Sequence, residues 1–111
     1  MNKLHLSAKA QEDLAKIKAY IAEELENPQA ALSAVGKITK TIHMLRDYAL
    51  IGAPLSSVAN VKGEYRYLVS GNYIIFYRVN GTEVFVERVL YGRRDYLTVL
   101  FGDMPEDKNP R

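Results

Sequence analysis

Five arginines lie within residues 64–101 and are the chain's strongest candidates for chemistry: Arg66, Arg78, Arg88, Arg93 and Arg94. Residues 1–63, by contrast, carry seven lysines and a single arginine, Arg46. A guanidinium is planar and presents paired donors, so it binds a phosphate or carboxylate through two hydrogen bonds and stacks on aromatic rings. The same stretch holds nine of the eleven aromatic residues. It therefore predicts a binding site rather than a merely solubilising surface.

Acidic neighbours offer some of these arginines a purely structural role. The candidate partners are Glu64, Glu83, Glu87 and Asp95. Arg78 and Arg88 fall inside predicted strands beside such neighbours, so the sequence leaves an ion pair and a binding role open for both. Arg93 and Arg94 follow Gly92 in a turn, which favours binding for this pair.

Composition excludes several classes of site. The chain has no cysteine, which rules out disulfides, thiol catalysis and cysteine-based zinc sites. Its two histidines, His5 and His43, have no companions at metal-ligand spacing, so we expect neither a metal nor another cofactor. No apolar run approaches the roughly 20 residues of a membrane span, and the first ten residues lack the apolar core of a secretory signal. We expect one cytoplasmic domain over residues 1–101 and a flexible tail over residues 102–111.

Three runs rich in Val, Ile, Tyr and Phe must position the arginines. They predict strands over residues 64–70, 72–79 and 83–91, arranged as an antiparallel meander. Asn80-Gly81 is typical of a type I′ hairpin turn between the last two strands. The middle run is apolar at almost every position from Tyr73 to Val79, so we expect both faces of that strand to be covered.

The first half of the chain predicts a short strand and two helices. Residues 2–6 alternate polar and apolar, and Ser7 is a suitable N-cap for a helix over residues 8–26. Asn27-Pro28 ends this helix and begins the next. Apolar residues recur at spacings of three and four: Ala10, Leu14, Ile17, Ile21 and Leu25 in the first helix, and Ala31, Val35, Ile38, Ile42 and Leu45 in the second.

Together these elements predict an α+β fold, with an antiparallel helical hairpin packed on one face of a four-stranded antiparallel sheet. Residues 48–63 form a connecting segment of the kind that often contacts a partner. Asp95 can cap a short C-terminal helix over residues 96–101.

Four sequence features taken together resemble the RelE/ParE superfamily of type II toxin–antitoxin toxins. They are Leu6–Leu14 (LSAKAQEDL), the hairpin break at Asn27-Pro28, Tyr73–Val79 (YIIFYRV) and Arg88–Asp95 (RVLYGRRD). The resemblance spans residues 3–101. It implies a small toxin that stops growth when free and forms a hetero-oligomer with the antitoxin encoded beside it.

Antitoxins of this superfamily wrap the toxin with an extended or helical segment. The resemblance and the strand pattern assign antitoxin binding to Ile74, Phe76 and Arg78. An equally weighted alternative places Ile74 and Phe76 beneath residues 48–63. Binding of the target falls to the terminal turn, that is to Tyr91, Arg93 and Arg94.

The superfamily contains two mechanisms. RelE-like toxins cut mRNA on the ribosome with lysines, arginines and a C-terminal tyrosine, whereas ParE-like toxins poison DNA gyrase by binding. Aligned on the Gly92 turn, this chain keeps one catalytic arginine, Arg94, but has Ile74 in place of the second and Tyr65 and Tyr67 in place of lysines. Leu100 stands where RelE-like toxins have their tyrosine.

These departures and the Leu6-Ser7-Ala8 start resemble the ParE-like branch, so we predict a toxin that binds gyrase. Enzymatic activity stays open: a rearranged endoribonuclease site made of Arg66, Arg94 and Tyr96 is the alternative. A second alternative is a degenerate toxin that retains only antitoxin binding.

Overall fold

The computed structural model of the protein describes residues 1–55 and 65–92. Within these ranges the chain forms five strands and two α-helices. In order they are β1 (Lys3–Leu6), α1 (Ala8–Ala19), α2 (Pro28–His43), β2 (Ala53–Pro54), β3 (Tyr65–Ser70), β4 (Tyr73–Asn80) and β5 (Glu83–Tyr91). A π-helical segment, Tyr20–Glu24, follows α1, and a 3-10 turn, Met44–Arg46, follows α2. No helix of the described ranges is long and apolar enough to cross a membrane.

The five strands form one sheet in the order β1-β5-β4-β3-β2. The antiparallel meander of β3, β4 and β5 is confirmed. The prediction of four antiparallel strands is wrong in two details, because β1 pairs parallel to β5 and the two-residue β2 adds a fifth strand. A two-residue strand containing Pro54 has no alternation from which it could be predicted.

The helical hairpin explains the direction of β1. Helix α2 returns the chain to the end of the sheet at which β1 begins, where Asn2 N donates to Arg46 O over 2.8 Å. Strand β3 then leaves in the direction of β1, and the two hairpins that follow give β5 that direction as well. The predicted C-terminal helix, residues 96–101, lies outside the described residues.

The predicted caps fix where the helices begin. The side chains of Ser7 and Asn27 accept hydrogen bonds from the N–H groups of Ala10 and Ala30, at 2.9 and 3.0 Å. The prediction of one regular helix over residues 8–26 is wrong at its end. There the π-helical segment adds a residue to the turn and rotates Leu25 off the apolar face, so Leu25 is exposed.

The turn between β4 and β5 also differs from the prediction. Asn80 pairs with Glu83, so the two central residues are Gly81 and Thr82 rather than Asn80 and Gly81. Gly81 alone of these two has positive φ, at 65°. This is the pattern of a type II′ turn, which needs glycine only at its first central position.

Strand β4 is covered on both faces, as its apolar composition predicts. On the helical side, Ile75 and Tyr77 pack in the main core with Ile38, Ile42 and Val86. On the other side, a smaller cluster is built from Phe76, Leu55 and Leu90, with Ile74, Tyr65 and Tyr67 half-buried against it. The second layer therefore comes in part from the segment between α2 and β3.

Candidate functional site

Tyr91, a predicted target-binding residue, stands at the end of β5. It is exposed, and its ring lies 5.8 Å from that of Tyr73. Gly92 N donates to Asn72 O over 2.8 Å, which closes this end of the sheet. The other residues predicted for target binding or for the alternative nuclease site at this turn lie outside the described residues, and their roles stay predictions: Arg93, Arg94 and Tyr96.

A cleft of about 710 Å³ opens beside Tyr91, between the end of the sheet and the helices. Tyr20, Ile21 and Tyr73 contribute to its walls. Burial raises the pKa of Tyr73 above its ordinary value, and the neighbouring hydroxyls of Tyr91 and Tyr20 raise it further. Tyr73 is therefore a neutral hydrogen-bonding and stacking group at neutral pH.

Arg66, the described member of the alternative nuclease site, lies at the opposite end of the sheet. Its Nη1 donates to Gly52 O over 2.7 Å and approaches Leu50 O at 3.4 Å. It pairs in register with Tyr77, five residues along β4 from Asn72, so it lies about 16 Å from the Gly92 turn. The sheet does not bring Arg66 together with Tyr91.

Tyr77 holds the turn that Arg66 also contacts, a role that sequence reasoning missed. Its fully buried hydroxyl donates to Ala49 O over 2.8 Å and accepts from Gly52 N over 2.9 Å. Burial raises its pKa, although the Gly52 hydrogen bond and the Arg66 charge act in the opposite direction. A side chain on Gly52 would lie 2.6 Å from both Tyr67 O and the Tyr77 hydroxyl, so only glycine fits there. A tyrosine between Ile75 and Val79 on the core face of a strand was the available signal.

Arg78, a predicted antitoxin-binding residue, forms an ion pair with an acidic neighbour, which is the structural role that the sequence left open. Its Nε lies 2.8 Å from Glu87 Oε2, and its guanidinium carbon lies 4.3 Å from the centre of the Phe85 ring. His5 stacks on the same ring at 4.7 Å, with its Nε2 2.6 Å from Glu83 Oε1. A row of alternating charged and aromatic side chains thus crosses the sheet face that the helices leave open.

Arg88 also takes a structural role, but with a partner that the sequence analysis did not name. It forms two hydrogen bonds with Asp13 of α1, at 2.8 and 2.9 Å, and Val89 N donates to the same carboxylate. The hydrogen bonds to Asp13 raise the pKa of Arg88. Strand β5 has a β-bulge next to Arg88. Phe76 pairs with Arg88 and Tyr77 with Val86, so Glu87 is an extra residue between them.

Ile74 and Phe76, the other predicted antitoxin contacts, differ in accessibility. Phe76 is fully buried with Leu55 and Leu90, which favours the alternative that places it beneath the segment after α2. Ile74 is half-buried at the edge of the same cluster. Of the three predicted antitoxin residues, Ile74 and Arg78 therefore present side-chain surface in this conformation.

The described residues present a surface suited to binding. Residues 1–55 and 65–92 contain no group of three His, Asp or Glu side chains that could hold a metal ion. Their buried carboxylate, Asp13, is occupied by Arg88 and Val89 N. What they offer a partner is exposed aromatic and apolar surface together with cations at the rims.

Comparisons with known proteins agree on the kind of protein that has this architecture. A family profile described as the ParE toxin of the type II toxin–antitoxin system parDE matches residues 4–96. No curated protein sequence matches the chain significantly. A chain of the chromosomal ParDE toxin–antitoxin system of P. aeruginosa is similar in structure, with 28% identity and a TM-score of 0.68 over 82% of this chain and 96% of the other.

Two E. coli structures share the fold at lower identity. A chain of the DinJ–YafQ complex is 18% identical, with a TM-score of 0.56 over 92% of this chain and 100% of the other. YafQ of E. coli strain BL21(DE3) is 17% identical, with a TM-score of 0.51 over the same shares. At these identities the similarity is one of fold.

Proposed function

Because the chain belongs to the ParE toxin family of type II toxin–antitoxin systems, we propose that it stops growth when free by binding DNA gyrase, and that a cognate antitoxin holds it inactive. The match covers residues 4–96, nearly all of the predicted domain. The toxin–antitoxin complexes among its structural neighbours support an antitoxin partner.

The observation that carries the proposal is the apolar character of the positions that RelE-like toxins give to catalytic cations. Ile74, Tyr65 and Tyr67 stand at three of these positions, and all three pack against the small apolar cluster of Leu55, Phe76 and Leu90. Attack of a ribose 2′-hydroxyl on a phosphate requires cations aimed at the developing charge. An apolar cluster supplies none, so its presence supports action by binding rather than by RNA cleavage.

The position of Arg66 supports the same conclusion. Its guanidinium is engaged with Gly52 O, and its backbone lies about 16 Å along the sheet from Gly92. A group that acts as a catalytic acid, base or cation must lie within hydrogen-bond reach of the reacting atoms. Arg66 is therefore poorly placed to share a catalytic centre with groups at the Gly92 turn.

We assign target binding to the terminal turn, through Tyr91, Arg93 and Arg94. An exposed tyrosine followed by two arginines has the composition of binding hot spots, which are enriched in these two residue types. Antitoxin binding is assigned to the sheet face that the helices leave open, with Ile74 and Arg78 as its accessible side chains and Phe76 supporting them from beneath.

The test is to induce the gene without its antitoxin in a bacterium that carries a DNA-damage reporter. We expect growth to stop and the reporter to respond, and purified protein to bind purified gyrase. Arg93→Ala combined with Arg94→Ala should weaken that binding at least about tenfold, equivalent to 1.4 kcal/mol. Lys9→Ala, an exposed cation on α1, is the matched control and should bind as the wild type does.

Two outcomes would count against this function. Normal growth at verified soluble expression would contradict toxicity itself. Growth arrest without the damage response, accompanied by new mRNA ends, would instead identify the endonuclease, and Arg94→Ala should then abolish those ends.

A further inference from the structure

An unusual run of large apolar side chains is exposed where the chain passes from α2 to β2. Met44, Tyr48, Leu50 and Ile51 retain 43%, 63%, 63% and 46% of their accessible surface. We call these four residues the apolar strip. Contiguous apolar surface of this kind on a folded protein commonly marks an interaction site.

Backbone hydrogen bonds bring the four residues close together. Tyr48 N donates to Met44 O over 3.0 Å, which places Met44 and Tyr48 one helical turn apart on the same side. Ile51 N donates to Tyr48 O over 3.1 Å and closes a tight turn that carries Leu50 at its tip. The four exposed apolar residues therefore share one compact turn of the chain rather than being scattered over the surface.

The turn under the apolar strip is held rigidly. Tyr77 binds it at Ala49 O and Gly52 N, and Arg66 binds it at Gly52 O. Since a preordered surface loses little conformational entropy on binding, fixing exposed apolar groups in place increases the affinity available to a partner. The core residues Tyr77 and Gly52 thus support a surface that contributes nothing to the core itself.

Cations rim the apolar strip at both ends. Lys40 precedes Met44 by one helical turn, Arg46 follows it, and the Arg66 guanidinium reaches Leu50 O at the far end. Residues 37–52 contain three cations, Lys37, Lys40 and Arg46, against a single carboxylate, Asp47. A segment complementary to this surface carries apolar side chains in its middle and carboxylates at its flanks.

We propose that the apolar strip is a second contact for the target protein, which meets it with an apolar segment flanked by carboxylates. This proposal rests on the proposed function, because it assumes a toxin that acts by binding a protein. One end of the strip lies beside the start of β5, where Arg46 O accepts from Asn2 N, and the other lies at Leu50, whose carbonyl Arg66 approaches. Tyr91 lies at the far end of β5, about 16–26 Å from these two points along the sheet. Only a macromolecule can touch both the strip and Tyr91, and the sheet face assigned to the antitoxin remains free.

The experiment compares Leu50→Ser and Arg46→Glu with a control, Leu32→Ser. Leu32 is exposed to the same 63% as Leu50 but lies on α2, about 18 Å from Met44 along the helix. Each variant is induced without antitoxin, its soluble level and thermal unfolding are measured, and its affinity for purified gyrase is determined. We expect wild type and Leu32→Ser to stop growth, and Leu50→Ser and Arg46→Glu to need at least about tenfold more inducer and to bind at least about tenfold more weakly.

The outcomes separate the strip from the proposed function. A wild type that stops growth together with a fully toxic Leu50→Ser overturns the strip and leaves the function intact. A wild type that does not stop growth overturns both. If the wild type is toxic without binding gyrase, the identity of the target is wrong, and the growth measurements still decide the strip.

Three further results decide the nature of the partner. Arg46→Glu as toxic as wild type overturns the carboxylate-flanked segment. A Leu50→Ser variant that stays toxic but escapes neutralisation by the antitoxin makes the strip an antitoxin surface and the proposal wrong. If Leu50→Ser unfolds at a lower temperature than the wild type, its loss of toxicity has a structural explanation, and Arg46→Glu, a change at an exposed side chain, then decides the question. Reduced toxicity of Arg46→Glu supports a role of the strip in target binding, and full toxicity overturns it.

Discussion

Replacing Tyr77 with phenylalanine removes a single hydroxyl that holds the turn after α2 at both of its ends. The ring would stay in the core, since no atom is added and the apolar contacts with Ile75 and Val86 remain. What is lost is the donor to Ala49 O and the acceptor for Gly52 N, at 2.8 and 2.9 Å. The change therefore isolates the hydrogen bonds from the packing.

The magnitude follows from burial. The Gly52 N–H is buried and would have no acceptor, which costs about 1–3 kcal/mol, while Ala49 O is partly accessible and its lost hydrogen bond costs about 1 kcal/mol or less. We expect Tyr77→Phe to lower the free energy of unfolding by about 2.5 kcal/mol. For a domain of this size that corresponds to a fall of about 10 °C in Tm.

Urea denaturation followed by circular dichroism measures this loss, and an unchanged m-value would show that the folded and unfolded states are otherwise the same. The control is Tyr48→Phe, which removes the hydroxyl of an exposed tyrosine on the same turn and should change stability by less than about 0.5 kcal/mol. If Tyr77→Phe is as stable as the control, the turn is not held by this hydroxyl and the rigidity ascribed to the apolar strip is wrong.

Three other changes test the contacts that fix the fold. Asp13→Asn leaves Arg88 without its charge partner, and about 3 kcal/mol should be lost in thermal unfolding; wild-type stability would show that the pair is dispensable. Ser7→Ala removes the cap on Ala10 N and should cost about 1 kcal/mol in urea, and no loss would refute the cap. Burial raises the pKa of Tyr73 above its ordinary value of 10.0, so the stability that this residue contributes should be fully present below pH 10 and lost as the pH rises through the folded-state pKa. Above pH 10 the free energy of unfolding should therefore fall more steeply with pH in the wild type than in Tyr73→Phe, and equal slopes would contradict this.

Local patterns predicted most of the fold correctly. The caps at Ser7 and Asn27, the meander and the double covering of β4 all depend on residues close together in the sequence. The ion pair between Arg78 and Glu87 is of the same kind, since it joins adjacent strands of one hairpin. Each of these features depends on a local conformation with few alternatives, and the types of the neighbouring residues are enough to identify the one adopted.

Features that depend on distant residues were not predictable in the same way. Asp13 and Arg88 are 75 residues apart, and nothing in either neighbourhood names the other. A signal existed, because Asp13 falls three residues after Ala10 and four before Ile17, on the apolar stripe of α1. An acid in that position predicts a buried partner, though it does not identify one. Likewise, four alternating residues could not reveal that β1 lies parallel to β5.

The same distinction between local and long-range features applies to the candidate site. Sequence alone named Arg66, Arg78 and Tyr91, but it could not place Arg66 at the opposite end of the sheet from Tyr91, because the strand register decides that distance. The apolar strip could not be predicted either, because its sequence is that of an ordinary connecting segment. Only the structure shows that Leu45 is buried in the core whereas Leu50 is exposed to solvent.

The pairing of β1 with β5 has a consequence for synthesis of the chain. Strand β1 is made before its partner, because 79 residues separate Lys3 from Glu83 in the chain. Helices α1 and α2 can form from local contacts as soon as they are made, but β1 cannot pair with β5 until β5 has been synthesised. A nascent chain therefore acquires its complete surface late, so that a polypeptide interrupted before β5 carries the helices without the sheet that arranges them.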